Sequence, residues 1–150
     1  MSNPKKTNKL YSRPIPDPDI LTAKEFWEGT KNNKLILPFC NDCQKSFFYP
    51  RIICPFTGCH SKDLSWKEST GKGHLYTFAI QHVAIDGWKE KIPFVTAFID
   101  TTENVRMLSV LINVDASKPE SIKIGSSVQV KFEKATEQIY VPYWEIVTNE

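Results

Sequence analysis

The chain has no stretch approaching the roughly 18 consecutive apolar residues that a bilayer-crossing helix needs, which argues against a transmembrane span. Residues 1–10 carry Lys5, Lys6 and Lys9 with no apolar segment after them, so the pattern of a secretory leader is missing and a cytoplasmic location is expected. Neither sign of charge dominates: 19 Lys and Arg stand against 17 Asp and Glu in 150 residues. There is no GxSxG elbow, P-loop, GxGxxG or HExxH, and no internal repeat or low-complexity tract. These absences remove the commonest self-sufficient active sites and point toward a binding or assembly role.

The composition is that of a soluble globular protein, 41% hydrophobic and 24% charged, with length for one domain or for a small domain with an appended module. The charge is unevenly placed. Residues 1–73 hold 12 basic and 7 acidic side chains, whereas residues 74–150 hold 7 and 10. A nucleic-acid surface needs concentrated positive charge, and the second half lacks it. Zinc ribbons and β-barrels do serve nucleic-acid binding elsewhere, so that role stands as the rival reading.

Four segments follow along the chain. Residues 1–33 read as an extended arm and a short helix. In Arg13-Pro14-Ile15-Pro16-Asp17-Pro18-Asp19 the alternating prolines fix φ and remove donors, giving extended chain suited either to a loose tail or to lying along a partner. Thr22-Ala23-Lys24-Glu25 fits a capping box with Leu21 and Phe26 as its hydrophobic staple, Phe26 and Trp27 form an aromatic patch, and Gly29 marks the expected helix end. Residues 34–70 carry the cysteines. Residues 71–150 contain five strand signals at 74–83, 94–99, 106–112, 128–132 and 139–146, with a longer connection before the fourth, as in a five-stranded OB-fold barrel. The expected fold is therefore mainly β.

Cys40 and Cys43 are followed, after ten residues, by Cys54 and Cys59. In a reducing compartment such pairs favour metal binding over disulfides. Two thiolate knuckles brought together give the closed tetrahedral set that zinc prefers, and iron would fit the same ligands. A module of about 35 residues cannot build a sufficient core alone, so a structural metal is physically expected. Inert buried thiols and a redox pair remain open alternatives. The four-residue gap in the second knuckle is loose, and His60 beside Cys59 could substitute for it. Four protein ligands leave no open position for water, which argues against a catalytic metal.

Elsewhere the residues read more plainly. Gly71-Lys72-Gly73 reads as a flexible turn, and His74 and His82 as strand histidines sharing one face. Asp86, Asp100 and Glu103 read as solvated carboxylates at strand ends or turns. In the first barrel loop, residues 85–92, Trp88 flanked by Lys89 and Lys91 could stack on an adenine and meet phosphates. The alternative is that Trp88 folds back onto the barrel mouth.

Pro16-Asp17 with Phe26-Trp27-Glu28, the run Leu37-Pro38-Phe39-Cys40-Asn41-Asp42-Cys43, Phe48-Tyr49-Pro50-Arg51, and Trp66 through Gly73 carry a resemblance over residues 12–147. The chain resembles the small zinc-ribbon plus OB-fold proteins of acyl-CoA metabolism, long called a domain of unknown function. The resemblance implies a rubredoxin-like zinc ribbon, with Cys40, Cys43, Cys54 and Cys59 as ligands of a structural zinc. It implies a non-catalytic subunit bound to a thiolase-like catalytic partner in a hetero-oligomer. The barrel would help to hold the coenzyme A thioester, with Trp88, Lys89 and Lys91 as the CoA-binding residues. The usual second knuckle of that family has a two-residue gap, so the spacing here sets Cys59 apart.

Overall fold

A computed structural model describes residues 11–147; the lysines of the basic tail lie outside the described residues. The extended arm leads into helix α1 (Lys24–Lys31), followed by ribbon strands β1 (Ile36–Cys40), β2 (Lys45–Ser46) and β3 (Leu64–Glu68). The barrel strands are β4 (Lys72–Gln81), β5 (Phe94–Thr101), β6 (Arg106–Ile112), β7 (Ser127–Lys134) and β8 (Tyr140–Ile146). The fold is thus mainly β, with one short helix, a zinc ribbon and a five-stranded OB barrel, as expected.

Helix α1 differs from the sequence expectation at both ends. Its N-cap is Ala23 and no side chain caps it, because a turn closed by the Ala23 amide on the Ile20 carbonyl (2.9 Å) sets the start one residue later than Thr22. Leu21 is 87% exposed and forms no staple. The helix runs through Gly29, which is buried and packed so closely on Ile36 that a Cβ would collide with that side chain. The stop is Asn33, in the left-handed region at φ 56°. Its amide reaches the Thr30 carbonyl and the Lys34 amide reaches that of Gly29, both at 2.9 Å, a Schellman closure in which Asn replaces the usual glycine.

Two turns of helix are marginal alone and must be held by packing. Phe26 supplies it: it is 3% exposed, lies 5.6 Å from the Phe48 ring, and joins Leu35 and Leu37 of the ribbon in one core with Leu75, Ile99, Met107, Val128 and Trp144 of the barrel. Each such side chain contributes about 1.5–3 kcal/mol on burial. Helix, ribbon and barrel therefore share a core. A smaller second cluster surrounds Cys40, Phe47 and Cys54.

The ribbon sheet has the order β2-β1-β3, with β3 running antiparallel to β1 from Ile36 opposite Glu68 to Cys40 opposite Leu64. The barrel closes in the order β4-β5-β6-β8-β7, and its β6–β8 seam is the one parallel pairing among the described residues, confined to Leu111 with Trp144 and Ile112 with Glu145. Long β4 pairs with β7 through Lys72–His74 and with β5 through Gly73–Gln81, and the register shifts between Leu75 and Thr77. That irregularity breaks the two-residue alternation, and β4 ends at Gln81, so the parity placing His74 and His82 on one face fails.

The turn at Gly71, expected to be flexible, is packed against β7. Gly71 and Gly73 are buried, and the Gly71 carbonyl accepts from the Val130 amide at 2.8 Å. Gly71 stands at φ +67°, and a Cβ there would lie 2.7 Å from Val130 Cγ1.

Candidate functional site

The metal centre is built by the two knuckles. At the first, the Gln44 amide closes on the Cys40 carbonyl (2.9 Å) and the Cys43 amide points at Cys40 Sγ (3.4 Å). At the second, the Cys54 amide donates to Ser61 (2.8 Å) and the Cys59 amide to Phe56 (3.1 Å). All four sulfurs lie within 4.8 Å of one another; Cys40 to Cys59 and Cys43 to Cys54 each measure 3.7 Å. Sulfurs placed tetrahedrally about an ion at about 2.3 Å are about 3.8 Å apart, so the spacing fits zinc. It is far beyond the about 2.05 Å of a disulfide. His60 is exposed and stands outside this set, whereas Cys59 is within it. A zinc ion held here would supply a structural cross-link.

The thiols also differ from one another. The Cys43 amide, against the counter-effect of burial, draws the Cys40 thiol down to about 7. Contact with Cys59, then burial, pushes the Cys43 thiol up, and burial pushes up that of Cys54. Four facing thiols cannot all ionise without a cation, so metal binding must expel protons.

The second cluster lies where the arm meets the barrel, and sequence reasoning missed its centre, Arg13. The Arg13 side chain is only 9% exposed. It donates to Glu133 at 2.6 Å and to the Tyr143 hydroxyl. Its guanidinium lies 4.4 Å from the Tyr11 ring centroid, 4.7 Å from that of Trp88 and 5.1 Å from that of Tyr143. Tyr11 and Tyr143 share a hydroxyl contact at 3.1 Å, and burial followed by this contact holds the Tyr143 phenol protonated. Trp88 stacks on Phe94 at 4.3 Å, turned back onto the barrel mouth, with Arg13 near its ring. Ser12 donates to the Gly87 carbonyl at 3.0 Å, and Gly87 (φ +87°) lies so close to Ser12 that a Cβ would strike its backbone. Lys89 pairs with Asp86 at 2.6 Å on the exposed rim, and Lys91 is exposed beside it. The only sequence signal for Arg13 was its place in a stiff proline arm; its partners stand 120 and 130 residues away.

The carboxylates also have defined partners. Asp100 forms a two-pronged pair with Arg106 (2.7 and 2.8 Å), which holds its carboxyl below the usual range. Glu103 accepts from the Ser69 hydroxyl and the Thr70 amide, both at 2.8 Å, and from Thr102 at 3.1 Å. Burial alone would raise its pKa, but these bonds outweigh it and the net shift is downward. Glu103 therefore ties the ribbon–barrel linker to the β5–β6 turn and is not a free solvated carboxylate. Among the described residues, no helix is long and apolar enough to cross a membrane.

Comparison with known proteins places this architecture. Residues 27–65 match the rubredoxin-like zinc ribbon domain of ChsH2, and residues 66–133 match its C-terminal OB-fold domain. A DUF35 domain-containing scaffold protein of Methanothermobacter thermautotrophicus is 33% identical over 100 residues, covering 66% of this chain and 71% of that protein. A probable enoyl-CoA hydratase alpha subunit of Thermomonospora curvata is 29% identical over 143 residues, 93% of this chain but 43% of that longer protein. Among solved structures, a chain of the Ltp2-ChsH2(DUF35) aldolase superposes with a TM-score of 0.73 at 25% identity, covering 89% of this chain and 98% of that one. A DUF35 protein of unknown function from Sulfolobus solfataricus shares the fold, with a TM-score of 0.58 at 20% identity. The two knuckles, the OB barrel and these matches agree: the chain belongs to the DUF35 family of zinc-ribbon plus OB-fold proteins.

Proposed function

We propose that this chain is a non-catalytic accessory subunit of an acyl-CoA enzyme with a thiolase-like catalytic partner, stabilising the complex and helping to hold the CoA thioester. The superposition over 89% of the chain on a component of a two-protein aldolase carries this reading. The hydratase alpha subunits of Thermomonospora curvata and Mycobacterium tuberculosis, 29% and 27% identical, support the acyl-CoA assignment. The chemistry of this chain suits the role. A metal with four protein ligands shapes the ribbon without an open position for substrate. The arm, pinned by Arg13, is a stiff surface that loses little entropy on docking.

Within that reading, Lys89 and Lys91 on the barrel rim meet CoA phosphates as point charges, and Trp88, backed by Phe94, is a wall of the site. Tagged chain recovered from its native cell should bring down an acyl-CoA enzyme subunit in fixed ratio; recovery of nucleic acid in its place would contradict the proposal. In the complex, replacing both Lys89 and Lys91 with Ala should raise KM for the CoA substrate several-fold with kcat little changed, the signature of lost uniform binding. That KM should also depend less on salt. An unaltered KM would move the phosphate contacts onto the partner.

A further inference from the structure

Strands β6 and β8 part early. Only Leu111 and Ile112 pair with Trp144 and Glu145, and the residues before them, 106–110 and 140–143, form no ladder with each other. Pro142 gives the reason. In a parallel ladder the next β8 donor to reach the Leu108 carbonyl is the amide of residue 142, and proline has none. The bond before it, from the Val110 amide to the Pro142 carbonyl, is replaced as well: that carbonyl accepts from the Ser109 hydroxyl at 2.8 Å.

The β5–β6 hairpin decides which groups this leaves open. The Thr101 amide donates to the Val105 carbonyl at 2.9 Å, so by alternation Met107 and Ser109 exchange backbone bonds with Ile99 and Ala97. The backbone groups of Arg106, Leu108 and Val110 then point the other way, into the seam. Among the described residues no strand pairs with Arg106 or Leu108 on that side. Leu108 is 47% exposed and Phe98, opposite it on β5, is 40% exposed, so the open edge is also apolar. Soluble proteins guard such edges with lysine, proline or charge. Residues 106–112 contain no lysine or proline, and their one charge, on Arg106, is neutralised by Asp100 at 2.7 Å.

We infer that an extended segment of the catalytic partner adds to this edge of β6 as a further strand, its backbone closing on Arg106, Leu108 and the Val110 amide. Donors and acceptors alternating at strand spacing are complementary to extended backbone, and strand addition draws affinity from such main-chain bonds. An apolar side chain of the added strand covers Leu108 and Phe98. A groove of about 580 Å³, lined by residues 107–110 of β6 and 141–143 of β8, lies along the edge and gives the strand room. The inference rests on the accessory-subunit reading for the identity of the partner; the open edge belongs to this chain alone.

The test compares the full zinc-loaded chain with its complex with the acyl-CoA enzyme subunit recovered from the native cell. Amide hydrogen exchange is followed residue by residue. The amides of Arg106, Leu108 and Val110 should exchange about tenfold or more slowly in the complex, while those of Met107 and Ser109, already bonded to β5, change far less. Leu108→Pro removes an outward amide without costing a bond to β5, and should weaken the complex about tenfold with the thermal melt kept. Leu108→Ala keeps the amide and should weaken it less. Leu108→Lys guards the edge with a charge and should weaken the complex even if the proline variant fails to fold. Exchange of the three outward amides at the free-chain rate, or folded Leu108→Pro and Leu108→Lys chains that bind as tightly as the parent, would overturn the inference and leave the accessory-subunit reading standing. A parent chain that self-associates, and becomes monomeric in Leu108→Lys, would place a second copy on the edge and overturn it too. Recovery of no acyl-CoA enzyme subunit would sink the accessory-subunit reading and this inference with it.

Discussion

Cys40 is fully buried, with its sulfur 3.7 Å from that of Cys59 and with the Cys43 amide aimed at it. A structural zinc contributes on the order of 10 kcal/mol to a module of this kind. Metal analysis should find about one zinc per chain, and Cys40→Ser should lose it and lower the melting temperature steeply. Acid should do the same by protonation: the ligands bind as thiolates, so affinity falls as pH falls, and the released metal can be followed with a chromogenic chelator. A folded, metal-free preparation with four freely titrating thiols would contradict this. The cysteines were legible because knuckle spacing is a local pattern. Arg13 and Glu103 were not, because the partners that define them, the neighbouring Thr102 apart, stand 33 to 130 residues away and leave no local signature.

Elements are fixed here by their junctions more than by their own propensities. The Ser69–Gly71 linker is held by Glu103, whose carboxylate receives bonds from Ser69 and Thr70 while the Ser69 amide reaches back to the Leu35 carbonyl at 2.7 Å. Glu103→Gln weakens these charge-assisted bonds and should cost about 1 kcal/mol at neutral pH, the partial exposure of the side chain limiting the loss. Its folded pKa is lowered, so its stabilisation is present above the unfolded value of about 4.3 and is lost as pH falls through the folded one. Denaturant melts from pH 7 to 3 should therefore show a shallower acid loss in Glu103→Gln than in the parent. The five barrel strands were readable from alternation and β-branched content, and the longer link before β7 fixed their likeness to an OB barrel. Strand β3 leaves no strand signal in the sequence, because Ser65, Lys67 and Glu68 dilute it and pairing with β1 organises it. The helix boundaries were misplaced for a related reason: Thr22 and Gly29 fit local capping rules, but a preceding turn and the packing of Gly29 on Ile36 override them.

For the whole molecule, one core joins helix, ribbon and barrel through Phe26, Leu35 and Leu37. Chelating the metal should therefore lower the melting of the entire chain in a single transition, followed equally by far-UV circular dichroism and by the fluorescence of buried Trp144. A barrel that melts at an unchanged temperature after the ribbon has opened would show two independent units. Phe48 of the ribbon loop packs against the same core, and Arg13 pins the arm to the barrel through Glu133 and Tyr143. The accessory role is tested most directly by acyl-CoA turnover of this chain alone, of the acyl-CoA enzyme subunit it captures, and of the two together. An accessory subunit gives no turnover by itself and full activity only when both are present. Turnover of any acyl-CoA by the isolated chain, or undiminished activity of the partner without it, would rule the role out.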